Sequence, residues 1–164
     1  DRQFDQERPL EALVTDLTYV RVDRRWAYVC LIIDLFNREI IGLSVGWHKT
    51  AELVKQAIQS IPYALTKAKL FHSDRGKEFD NQLIDEMLEA FGITRSLSQA
   101  GCPYDNAVAE STYRSLKLEF INQETFQSLK ELALKTKDYV HWWNYHRIHG
   151  SLNYQTPMTK RIIA

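Results

Sequence analysis

Along the first third of the chain, apolar side chains come in short runs broken by polar turns, the pattern of strands rather than helices. Residues 12–22, "ALVTDLTYVRV", are rich in β-branched and aromatic types and predict a first strand. "WAYVCLIIDLF" (26–36) predicts a second, mostly buried one, and "EIIGLSVGW" (39–47) a third. The connections around Asp23, Arg24 and Arg25 and at Asn37-Arg38 are short and polar, so these three strands form an antiparallel meander.

The period then changes. In "TAELVKQAIQSI" (50–61), Leu53, Ala57 and Ile61 share one helical face, with Thr50 as N-cap and Pro62 just beyond. "AKLFHS" is a fourth strand. "NQLIDEMLEAFG" (81–92) is a helix with core positions Ile84, Leu88 and Phe91, stopped by Gly92, and "ITRSLS" (93–98) is a fifth strand. Past the turn-rich "AGCPYDNA", two helices over roughly 106–122 and 126–147 finish the chain. Three antiparallel strands followed by alternating helix and strand predict an α/β fold, a five-stranded mixed sheet flanked by helices.

The totals narrow this little. The 164 residues suffice for one domain with a real core, and we expect a single domain over 1–164. The first residue is Asp1 rather than Met, as in a piece of a longer protein. Basic and acidic residues balance at 21 each, so no global field announces nucleic acid, and any polyanion must meet a local basic face. Cys30 and Cys102 lack a CxxC partner, which argues against a zinc finger or a disulfide framework. The longest apolar runs fall far short of a membrane span, so no membrane partner is expected.

Three carboxylates carry the candidate chemistry. Asp74 ends the fourth strand in "KLFHSDRGKEF", where a lone Asp reads as a solvated loop residue. Asp16 sits inside the first strand, and burying an unpaired carboxylate there costs several kcal/mol, remedied by a salt bridge to Arg21 or Arg38 or by a metal. Glu110 lies near the start of a helix whose amides Asp105 or Asn106 can cap. Ala109, Tyr113, Leu116 and Phe120 form that helix's buried stripe, while Glu110, Arg114 and Lys117 share an adjacent flank. Alone, Glu110 reads as an i,i+4 ion pair with Arg114. With the first strand central and parallel to the fourth, Asp16 and Asp74 meet, and the helix brings Glu110 to the same edge. Three hard oxygen donors suit Mg²⁺ or Mn²⁺ rather than zinc, and two such ions can serve phosphodiester chemistry.

The segments "VTDLTY", "LFHSDRGKEF", "SQAGCPYDNAVAESTYRSLKLE" and "WNYHRIHGSLNYQTP" occur in an order that resembles the integrase core of bacterial insertion-sequence transposases, specifically the insertion-sequence-three family. The likeness runs over nearly the whole chain and implies a ribonuclease-H-like fold with a DDE active site, related to retroviral integrases. It places the triad, catalytic and metal-binding, on Asp16, Asp74 and Glu110, with residues 75 through 109 as the characteristic gap of 35. Its basic residue seven positions after the glutamate falls on Lys117. Leu13 replaces the family's usual Trp and should face away from Asp16. The implied activity is a DNA transposase, cutting transposon ends and joining the 3′-hydroxyl to target DNA with Mg²⁺ or Mn²⁺, two ions per site. The resemblance further implies DNA ends and target as partners, a homo-oligomer, and a bacterial cytoplasmic location at the nucleoid. A ribonuclease-H-like nuclease that only hydrolyses, and a catalytically silent DNA-binding or oligomerisation core, are the alternatives.

Around the carboxylates, Arg75, Lys77, Asn106, Arg114, Lys117 and Arg147 are candidate DNA contacts. Asp34, in "IIDLFNR", also ends a buried strand but reads as structural, pairing with Arg38. His72 is placed to orient a neighbour of Asp74. His141, His146 and His149 have spacing that fits zinc poorly.

Overall fold

The computed structural model describes residues 7–98 and 107–164, so Cys102, Asp105 and Asn106 lie outside the described residues. Strands β1 (Ala12–Val22), β2 (Arg25–Asp34) and β3 (Ile40–Gly46) form the expected meander. The β1–β2 turn places Asp23 at a φ of +50°, a left-handed conformation that aspartate tolerates better than most side chains. β4 (Leu70–Ser73) and β5 (Thr94–Leu97) run parallel to β1, giving the sheet order β3-β2-β1-β4-β5. The first strand is therefore central, as the placement of its carboxylate required.

Alternation along β1 assigns the two faces. Val14, Val20 and Val22 join Val29, Leu31 and Ile33 of β2 beneath α3 (Ala107–Glu119) and α4 (Leu129–Tyr145). There Ala109, Tyr113, Leu116 and Phe120 are all buried, so the helical stripe read from the sequence is the packing face. Leu13, Cys30, Ile32 and Ile41 meet α1 (Ala51–Gln59) and α2 (Gln82–Ala90) on the opposite side. Leu13 thus packs on the face away from Asp16, as expected for that substitution. β2 is buried on both faces, which explains its nearly unbroken apolar run.

Three expectations need correction. Phe91 follows the last turn of α2 and is 49% exposed, because the helix ends one residue earlier and Gly92, at φ +69°, turns the chain away. Thr50 occupies the N-cap of α1 without a side-chain capping bond, whereas Asn81 and Ser128 do cap α2 and α4. A further helix, α5 (Pro157–Ile162), follows the two expected to end the chain. Its signal was local: the Thr156 side chain accepts from the Thr159 N–H, and Pro157 takes the first turn, where its missing donor costs nothing.

α5 also closes a buried ionic network. Arg161 Nη2 lies 2.7 Å from Asp34 Oδ2, and its Nε donates to Glu39 Oε1 at 2.7 Å. Asp34 is fully buried and accepts further bonds from the Leu10 and Phe36 N–H groups. Asp34 is structural, then, but Arg161 is the cation on it, while Arg38 Nη1 donates to the Leu35 carbonyl. Burial still pushes the Asp34 carboxyl above its ordinary range, the amide bonds and Arg161 acting against that rise. Arg161→Met should therefore destabilise the chain by about 3 kcal/mol in urea unfolding, because it strands two buried carboxylates. Adding Asp34→Asn and Glu39→Gln to that variant should recover most of the loss.

Candidate active site

The register of β1 and β4 brings the first two carboxylates together. Ala12, Leu13 and Val14 pair with Leu70, Phe71 and His72, so two further steps set Asp16 against Asp74. The two carboxylates are close enough for the charge of Asp74 to act on Asp16. Asp16 is half-buried, and its Oδ1 accepts the Leu17 N–H at 2.8 Å. Burial foremost, then the charges of Asp74 and Glu78, raise the Asp16 carboxyl to about 7, against the lowering effect of the Leu17 N–H. The charged neighbours that act on Asp16 most strongly are themselves acidic.

Asp74 sits on the first residue past β4, in a loop that bonds to itself. Its Oδ1 accepts the Gly76 N–H at 2.7 Å, the Asn81 side chain donates to the Lys77 and Glu78 carbonyls, and Phe79 anchors the segment in the core. A side chain at Gly76 would push on two carboxylates. A Cβ there would lie 2.4 Å from Glu78 Oε1 and 2.9 Å from Asp74 Oδ1. Behind Asp74, His72 Nδ1 is 2.8 Å from Ser96 Oγ, which fixes that ring against β5.

Glu78 is the residue that sequence reasoning missed. It is only 8% exposed, and Lys49 Nζ lies 3.5 Å from its Oε1. Its nearness to Asp16 and Asp74 gives the loop a further carboxylate. The signal for it was the spacing of Asp74 and Glu78 around a glycine, in a segment otherwise read as solvated. Tyr113 was also undervalued. It was placed as core packing, yet its hydroxyl donates to the Asp16 carbonyl and accepts the Leu31 N–H at 2.8 Å. α3 is thereby pinned to β1 at the residue that carries the carboxylate.

Glu110 stands one helical turn before Tyr113, exposed on α3. Among the described residues, no three His, Cys, Asp or Glu side chains are gathered closely enough to hold a metal ion. Asp16 and Asp74 are thus neighbours, and Glu110, in the first turn of α3, does not close on them. The donor set of carboxylates fits a hard divalent cation, which would relieve the repulsion that raises Asp16.

The candidate phosphate contacts divide. Lys117 is partly exposed, its Nζ 5.3 Å from the Tyr19 ring centroid, while Arg114 and Lys77 are exposed. Arg75 Nε donates to the Ser98 carbonyl at 2.8 Å. Arg147 grips Glu119 through Nε and Nη2, at distances down to 2.6 Å, and lies over the Trp143 ring. That guanidinium is already engaged. Asn106 lies outside the described residues.

Two family descriptions, both "Integrase core domain", match residues 6–103 and 91–157. Transposase InsF for insertion sequence IS3A of Escherichia coli (strain K12) is 31% identical over 159 residues, covering 93% of this chain and 55% of that protein. Putative transposase InsK for insertion sequence element IS150, from the same strain, is 32% identical over 162 residues, covering 98% of this chain and 57% of its own length. The chain therefore spans little more than half of the curated relatives it matches. Among solved structures, the HTLV-2 integrase catalytic core domain in complex with magnesium (trimeric form) superposes with a TM-score of 0.72 at 15% identity, covering 92% of this chain and 95% of that one. The BIV integrase catalytic core gives 0.69 at 17% identity, covering 93% and 94%. These structures share the ribonuclease-H-like fold.

The Asp16 carboxyl has a measurable consequence. It rises from an ordinary 3.8 to about 7 on folding, so between those values the folded chain holds a proton that the unfolded chain releases. Stability from this group is present at low pH, falls as pH rises through that window, and stays low above it. In metal-free buffer Asp16→Asn should stabilise the chain by about 2 kcal/mol at pH 8, after allowance for solvent screening, and by almost nothing at pH 4. Urea unfolding across pH checks this, and a gain equal at both pH values would contradict it.

Proposed function

The chain belongs to the integrase core family, and from that premise we propose that it is the catalytic domain of a DDE DNA transposase, one unit over residues 1–164 within a longer protein. The observation that carries the reading is the juxtaposition of Asp16 and Asp74 where β1 and β4 run parallel. Two carboxylates forced together beside a central strand are costly without a cation and useful with one.

Asp16, Asp74 and Glu110 would hold Mg²⁺ or Mn²⁺, two ions in the full site. Bound there, the metal supplies Lewis acidity toward a phosphodiester and lowers the pKa of water. The chain's own groups do the positioning. Tyr113 fixes the backbone of Asp16, the Gly76 N–H orients Asp74, and α3 presents Glu110 from above. Approach of DNA draws Glu110 onto the pair. Lys117 and Arg114 on α3, with Lys77 of the β4–α2 loop, meet phosphates, and Asn106 is a further candidate contact. Water attacks the phosphodiester at a transposon end and frees a 3′-hydroxyl. That hydroxyl then attacks a target phosphodiester in line, displacing the target's 3′-oxygen. No bond to the protein forms, so no nucleophilic side chain is needed.

DNA ends and target are the partners on this reading, in a homo-oligomer in the bacterial cytoplasm, at the nucleoid. The HTLV-2 integrase core is described in dimeric and trimeric forms, which supports assembly of more than one copy. Among the described residues no helix is long and apolar enough to cross a membrane. Family membership and an intact carboxylate set speak against a catalytically silent core, and the transposase relatives against hydrolysis alone.

Asp74→Asn in the full-length protein should lower strand transfer of a pre-cut end by about a thousandfold, since several kcal/mol of transition-state stabilisation go with it. Its melting temperature without metal should match or exceed that of the wild type. Joined product at wild-type level would remove Asp74 from the chemistry, and hydrolysis without joining by the wild type would favour a plain nuclease. Mn²⁺ at millimolar concentration should raise the wild-type melting temperature and leave that of Asp74→Asn unmoved.

A further inference from the structure

Among the described residues, β1 pairs with β4 at Ala12, Leu13 and Val14, and further along that edge a bridge joins Val22 to Phe126. Between these points the strand borders a cleft of about 320 Å³. Its walls include Tyr19 and Arg21 of β1, Trp26 of β2 and Lys117 of α3.

The two aromatic residues are out of place for a solvated hairpin. Tyr19 is 57% exposed and Trp26 is 50% exposed, yet their rings meet at right angles with centroids 5.1 Å apart. Each ring carries a cation. Lys117 Nζ stands 5.3 Å from the Tyr19 centroid, and the Arg21 guanidinium 5.2 Å from that of Trp26. The hairpin adds Arg24 and Arg25, both exposed. Exposed rings interleaved with cations combine a surface on which an unpaired base stacks with charges that meet its phosphates.

Position gives the corner its use. From Asp16 to Tyr19 the strand advances about 10 Å, and from Glu110 to Lys117 the helix advances about 10 Å. Strand and helix thus lead away from the carboxylates by equal steps and end at the same corner, about three stacked nucleotides along. We propose that Tyr19 and Trp26, with Arg21 and Lys117, form a stacking corner for an unpaired DNA base about three nucleotides from the bond cut at the carboxylates. The site rests on the transposase reading and extends it, because it gives the domain a preference for DNA whose end is frayed or single-stranded there.

The test is equilibrium binding of the 164-residue chain in EDTA, read by fluorescence anisotropy, which separates recognition from catalysis. The probes are a blunt DNA duplex and the same duplex carrying a three-nucleotide single-stranded extension. Wild type should favour the extended duplex by about tenfold. Tyr19→Ala and Trp26→Ala should each bring the two probes to within about twofold of each other, while Trp26→Phe retains most of the preference. Both alanine variants remove exposed rings, and melting temperatures within a few degrees of wild type confirm folding. Equal wild-type affinity for the two probes overturns the stacking corner and leaves the transposase reading intact. So does an undiminished preference in both alanine variants. A change of sedimentation coefficient in those variants, with the preference kept, assigns the rings to a second copy of the chain and overturns the proposal as well. Absence of duplex binding by the wild type counts against the transposase reading itself.

Discussion

Holding two carboxylates side by side on and next to a central strand is the constraint around which this molecule is arranged. The Asp16 backbone belongs to a continuous pairing with β2, from Leu13–Asp34 to Val22–Arg25, so the strand cannot swing the charge out to solvent. Parallel pairing with β4 then delivers Asp74 to the same point. Desolvation and like charge together favour protonation of Asp16, and both effects oppose folding with the two groups ionised. A protein that keeps such an arrangement spends stability gained elsewhere on it.

The compensation is visible in what surrounds the pair. Tyr113 places a buried hydroxyl between the Asp16 carbonyl and the Leu31 N–H, tying helix, central strand and neighbouring strand at one atom. On the far side, the β4–α2 loop is held by its own hydrogen bonds and by Phe79, which is fully buried. Glu78 and Lys49 connect that loop to the segment before α1. At the opposite end of β2, Arg161 ties Asp34 and Glu39 to α5, so the carboxylate there is neutralised by the fold itself. The two buried aspartates differ in this respect. Asp34 has its cation built in, and Asp16 faces acids.

The open stretch of β1 follows from the same geometry. Because β4 contributes only four residues, the longer β1 outruns it, and among the described residues its edge past the carboxylates has no β4 partner. An unpaired edge is a hazard for aggregation, and here it is bounded by α3, the exposed cations of the hairpin and the Val22–Phe126 bridge. The central position that crowds Asp16 against Asp74 also leaves room along which a strand of nucleic acid can lie.

Much of this could be read from the residues in order. The period-two runs located β1 to within its observed bounds, the helical stripe Ala109, Tyr113, Leu116 and Phe120 named the buried face of α3, and the order of elements implied a mixed sheet with β1 in the middle. These are local or nearest-neighbour properties, set by side-chain alternation and turn chemistry, and a linear pattern records them. Where Phe91 points, which cation neutralises Asp34, and that Glu78 is buried near Asp74 were decided by contacts between segments up to 127 residues apart. The sequence by itself determined which residue types stand on which face of which element. Only the packing of those elements decided which charges meet, because the energy of a carboxylate depends on its distance to other charges and to water, and neither is written along the chain.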